Sequence, residues 1–135
     1  MQNHLKSIIC ILLLSLFACD KAENFENNLD GTWELRHVKG GQIANKSPDC
    51  PPGNGYIIKI DGNTYQRLDK GAVISSGTFV IVNTELEIDG TEFFFKLDFD
   101  QARDIDVYSK LSGKKLILSI GSMASDGTTS TYERL

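Results

Sequence analysis

Residues 92–99 read Glu-Phe-Phe-Phe-Lys-Leu-Asp-Phe. In an extended chain, successive side chains point to opposite faces. Phe93, Phe95, Leu97 and Phe99 therefore share one face, and Glu92, Phe94, Lys96 and Asp98 share the other. A period of two with one apolar face predicts a half-buried antiparallel strand. The same pattern recurs on either side. Leu116, Leu118 and Ile120 stand against Lys115, Ile117 and Ser119; Leu86 and Ile88 against Glu85 and Glu87; Ile105 and Val107 against Asp104, Asp106 and Tyr108. Asp61-Gly62, Asp89-Gly90, Ser112-Gly113 and Asp126-Gly127 punctuate these runs. Such pairs suit tight hairpins, whose central positions need positive φ.

The spacing predicts strands over 31–38, 55–60, 63–69, 73–82, 84–88, 91–99, 103–109, 114–120 and 127–134. Among them no segment carries a helical period. The long connection 39–54, rich in Gly, Pro and Asn, has room for one helical turn at 42–45. Many short strands joined by hairpins imply an all-β fold: a small antiparallel up-and-down barrel of about eight or nine strands, closed by pairing its first and last strands.

The amino end has another character. Lys6 precedes an apolar run from Ser7 to Phe17, the length of a signal-peptide core and too short to span a bilayer. The run ends Leu16-Phe17-Ala18-Cys19, which resembles the bacterial lipobox of an aliphatic, a variable and a small residue before Cys. The resemblance implies cleavage before Cys19 and lipid on its thiol and new amino group. Several acyl chains together give stable anchoring, where one gives only reversible binding. The expected organisation is a lipoprotein signal peptide over 1–18, a lipidated polar tether over 19–28 and a β-barrel domain over 29–135. The expected location is the bacterial cell envelope, lipid-anchored and at the outer membrane.

Composition narrows the chemistry. The formal net charge is −4, and no basic block occurs. That argues against nucleic acid and against an anionic lipid surface as partners. Of three cysteines, Cys10 leaves with the signal and Cys19 is taken by lipid, so Cys50 stands alone and no disulfide scaffold is possible within the mature chain.

Leu29-Asp30-Gly31-Thr32-Trp33-Glu34-Leu35 resembles the Gly-x-Trp opening of lipocalin-like domains. Ile58 to Tyr65, Gly77-Thr78-Phe79 and the closing Asp126-Gly127 with Tyr132-Glu133-Arg134 resemble segments of small lipocalin-like bacterial lipoproteins. Together these pieces span most of 29–135. The resemblance implies that Trp33 crosses the closed end of the barrel beneath Arg134, a structural pair. The chain departs from secreted lipocalins in lacking clear second and third signatures and a disulfide. Phe79, Phe93, Phe95, Phe99, Leu116 and Leu118 can line an apolar cavity or fill it.

Catalytic signals are sparse. His37, which alternation places on the Trp33 face near the barrel mouth, is the one histidine outside the signal. No zinc or nucleotide-binding pattern is present, and Asp98, Asp100, Asp104 and Asp106 lack the central Gly and closing Glu of a calcium loop. The expectation is a non-enzymatic, membrane-anchored lipoprotein without cofactor or metal, binding a small apolar or amphipathic ligand in its barrel. The alternative is an envelope protein-interaction or inhibitor module with a filled barrel. Lipid attachment has a direct check. Palmitate labelling in the native host should mark the wild-type chain, and C19S should lose the label and leave the membrane fraction.

Overall fold

Asp89 and Gly90 both hold positive φ, 50° and 78°, and join two strands in a tight hairpin. Lys70 and Gly71 do the same, at 49° and 87°, although Lys is an unusual residue for the position. Such turns and three longer connections link eight strands: β1 (Gly31–Gly40), β2 (Tyr56–Asp61), β3 (Thr64–Asp69), β4 (Ala72–Ile88), β5 (Thr91–Phe99), β6 (Val107–Ser112), β7 (Lys115–Ile120) and β8 (Thr128–Arg134). Each pairs antiparallel with the next, and β8 returns to β1, closing an up-and-down barrel. The computed structural model describes residues 24–41, 49–101, 104–122 and 125–135; the expected signal, Cys19 and the 42–45 turn lie outside the described residues.

The ladder is strongly staggered. Following paired residues once around returns to β1 displaced by roughly twelve positions, the shear that goes with closing eight tilted strands into a barrel. Alternating strand direction gives the barrel two ends. One, the closed end, gathers the start of β1, the end of β8 and the β2–β3, β4–β5 and β6–β7 hairpins. The other, the mouth, gathers the β1–β2, β3–β4, β5–β6 and β7–β8 connections.

Two strand assignments and one burial pattern differ from expectation. The segments 73–82 and 84–88 are one strand, β4. Asn83 opposes Phe95 but Leu86 opposes Phe93, so a β-bulge inserts one extra residue and breaks the alternation that suggested two strands. The segment 103–109 moves to Val107–Ser112, because the tight turn after Ser112 pulls the pairing of Lys110, Leu111 and Ser112 onto β7. Ile105 is left outside the strand and exposed. In β7 the alternation fails at the mouth, where Ser119 is buried and Ile120 is exposed.

The packed unit also starts before residue 29. Residues 24–29 form a helical turn whose apolar residues, Phe25 and Leu29, lie four apart and so share a face. Both are buried in the barrel core, with Trp33, Ile58, Ile60, Tyr65, Phe79, Leu97, Phe99, Val107, Leu116 and Leu118. Phe25 stacks on Phe95 with ring centroids 4.2 Å apart. The stretch expected as tether thus contributes to the core from Phe25 onward. F25A should destabilise the domain by about 3–5 kcal/mol in a denaturant titration, the range for emptying a buried Phe site. A loss below 1 kcal/mol would show the turn to be dispensable.

Candidate binding site

At the closed end, the Arg134 guanidinium lies over the Trp33 indole, its Cζ 4.2 Å from the ring centroid. It also donates hydrogen bonds to the backbone carbonyls of Asn28 and Asp30. Trp33 Nε1 donates to Leu29 O at 2.9 Å, so both side chains hold the helical turn across the barrel end. Gly31 makes room for this. Its φ is +143°, and a Cβ there would overlap the guanidinium. Asp30 Oδ1 accepts from Gly62 N at 2.9 Å, tying in the β2–β3 hairpin.

Two clefts flank the helical turn. One, of about 470 Å³, is lined by Phe25, Phe95 and Leu111 among others. The second, of about 510 Å³, is lined by Asn27, Asp30, Asn63 and Phe79 among others. Both are open, and both sit at the closed end rather than at the mouth.

Of the six residues expected around a cavity, five join the core cluster or pack against it, and Phe93 is buried outside it, its ring 6.3 Å from that of Tyr108. Phe79, Phe93, Phe99, Leu116 and Leu118 are buried, and Phe95 is half-buried beneath Phe25. Tyr65 meets Phe99 edge-on at 4.8 Å, and Phe79 meets Phe99 at 5.7 Å. The closed half of the barrel is therefore a packed apolar layer.

The mouth half differs. Cross-strand partners share a face, so Arg67, which opposes buried Ile58, points into the barrel, and Ser75 opposite it does the same. Tyr132 opposes buried Leu116 and Ser130 opposes buried Leu118, and they too point inward. The Arg67 guanidinium rests over two rings, with Cζ 5.2 Å from the Phe99 centroid and 5.8 Å from that of Tyr65. Arg67 Nε is buried without a hydrogen-bond partner, and so are Asp69 Oδ1 and Asp100 Oδ1. Burial pushes the Tyr132 hydroxyl pKa up, and the positive Arg67 acts against that shift.

Sequence reading missed Arg67. On β3, Tyr65, Arg67 and Asp69 alternate with Thr64, Gln66 and Leu68, so neither face is apolar and periodicity cannot choose the inner one. The available signal was indirect: Tyr65 belongs with Ile58 and Ile60, and Arg67 follows two places later.

His37 is not on the Trp33 face. A register shift between Leu35 and His37 sets His37 opposite Thr131 and Val38 opposite inward Ser130. His37 Nδ1 instead meets Asp49 Oδ1 at 2.8 Å on the outside. Cys50 is a half-buried free thiol whose backbone N donates to Arg36 O at 2.7 Å. The acids separate. Asp98 and Asp106 pair with Lys96 at 3.1 and 2.8 Å, and Asp100 turns elsewhere. Among the described residues no three His, Cys, Asp or Glu side chains gather as a metal site.

Compared with protein-family models, curated proteins and solved structures, the chain matches none.

The β1–β2 connection is held by an electrostatic latch. Glu34 is buried, pairs with Arg36, and accepts from Gly53 N at 3.2 Å and Gly55 N at 3.5 Å. It thereby fixes the returning end of the β1–β2 connection. The hydrogen bond from Arg36 holds the Glu34 carboxyl below its ordinary value; burial opposes this, and the two backbone N–H groups assist it. A depressed carboxyl pKa contributes stability that is complete above the unfolded value, near 4.5, and is lost as pH falls through the folded one. Thermal midpoints of wild type and E34Q should differ by a constant amount above pH 4.5 and converge below it. A constant gap at every pH would contradict the assignment.

Proposed function

We propose that this chain is a non-enzymatic lipoprotein of the lipocalin-like kind, held at the outer membrane by lipid on Cys19. It binds a small amphipathic ligand in the mouth half of its barrel. The closed eight-stranded topology and the stacked Trp33 and Arg134 support the family reading. The ligand reading is carried by one observation: the interior changes from packed apolar side chains to inward polar ones at Arg67, leaving three buried polar atoms without partners. Buried polar groups are ordinarily hydrogen-bonded, and an unmade bond to one costs about 1–3 kcal/mol. A ligand with a polar end supplies those bonds and meets the apolar layer with its other end.

A second reading has its own observation. Val73 and Ile74, beside the Lys70-Gly71 turn, are 54% and 63% exposed. An apolar strip at the mouth suits an envelope protein partner. Native mass spectrometry of the mature chain, made with Cys19 replaced and purified from its own host, separates the two. A retained small molecule of constant mass is the expected result. A retained protein, with the barrel carrying no small molecule, would replace the ligand reading with the protein-interaction one.

A further inference from the structure

Resting on the ligand reading above, we propose that Arg67 is the anion subsite of the barrel, and that the bound molecule is a hydroxy- or amino-carboxylate whose donors meet Asp69 and Asp100.

A guanidinium carries five N–H donors in a planar fork and no acceptor. The rings of Tyr65 and Phe99 answer the positive charge through their π faces. They do not answer the donors, and Nε is buried with no acceptor. Arg67 forms no salt bridge with Asp69 or Asp100 within 4 Å, so neither carboxylate takes up its donors. A carboxylate is the group that matches the fork by two parallel bonds.

The two acids limit what that anion can be. Asp69 is two residues along the same strand and on the same face as Arg67. Asp100 reaches the interior because residue 77 has no side chain. Gly77 opposes buried Tyr65, and the Asp100 carboxylate occupies the place a Cβ at 77 would take. Each acid has one buried oxygen without a donor. A bare anion would satisfy Arg67 and be repelled by both. A molecule bearing a carboxylate together with O–H or N–H donors satisfies all three sites. The packed apolar layer below, headed by Tyr65 and Phe99, is the surface that its hydrocarbon part meets.

The probes are 2-hydroxyoctanoate, octanoate and octanol, titrated calorimetrically into the full mature chain and into R67Q and R67K. In wild type, 2-hydroxyoctanoate should bind one per chain and several-fold more tightly than octanoate, and octanol should bind weakest. R67Q should weaken 2-hydroxyoctanoate at least tenfold and leave octanol unchanged, and R67K should fall between. Near-ultraviolet circular dichroism checks that each variant is folded. If R67Q does not fold, the order of the three probes on wild type and the R67K value decide. Octanol binding as tightly as the acids, or R67Q binding 2-hydroxyoctanoate like wild type, would overturn the anion subsite and leave the amphipathic-ligand reading standing. Equal affinity for the two acids would overturn the part given to Asp69 and Asp100. Failure of all three probes to bind wild type would overturn both the subsite and the ligand reading.

Discussion

The guanidinium of Arg134 on the indole of Trp33 ties together four parts of the chain: the first strand, the last strand, the helical turn and, through Asp30, the β2–β3 hairpin. A cation over an aromatic face is worth about 0.5–2 kcal/mol by itself. Its structural weight is larger because the same guanidinium occupies carbonyls at the end of the helical turn, which would otherwise be open at a sheltered barrel end. With that end sealed, Phe25 and Leu29 are committed to the core, and the apolar layer has a base to pack on. Specialisation of the interior is then left to the other end.

That specialisation is a matter of layers. Below Arg67, inward positions hold rings and branched chains in contact. Around and above it, they hold Arg67, Ser75, Ser130 and Tyr132, with carboxylates from Asp69 and Asp100 nearby. A small domain gives up core area when it makes half its interior polar, and its stability margin is only about 5–15 kcal/mol in any case. The polar layer is thus a real energetic concession, and the binding role proposed above would give it a reason.

Much of this fold was legible in the residues. Phe93, Leu97 and Phe99 on one face of β5, and the Asp-Gly pair at 89–90, follow from period and turn chemistry alone. The failures have specific physical causes. A bulge carries no sequence mark, so the extra residue between Asn83 and Leu86 looked like a strand break, and the shift after Leu35 put His37 on the wrong face. Phe25 was lost because two apolar residues in a polar stretch make no pattern until a barrel end exists to receive them. Arg67 escaped because its charge reads as solvent-facing on a strand with no apolar side. The site is therefore less legible than the fold, since it is built from residues that depart from the rule by which strands are recognised.

The seam between β1 and β8 has a consequence in time. The bond from Arg134 to Asn28 spans 106 positions of sequence, and the whole β1–β8 ladder is comparably long-range. Hairpins form in microseconds, but pairings of high sequence separation wait for the loop entropy of nearly the entire chain. Until β8 arrives, β1 has an unpaired edge and the helical turn lacks the cation that holds it. Closure therefore comes late in folding, and the intermediates before it expose a strand edge able to pair with another chain. A chaperone that shields the leading third of the polypeptide would protect the segment that has longest to wait.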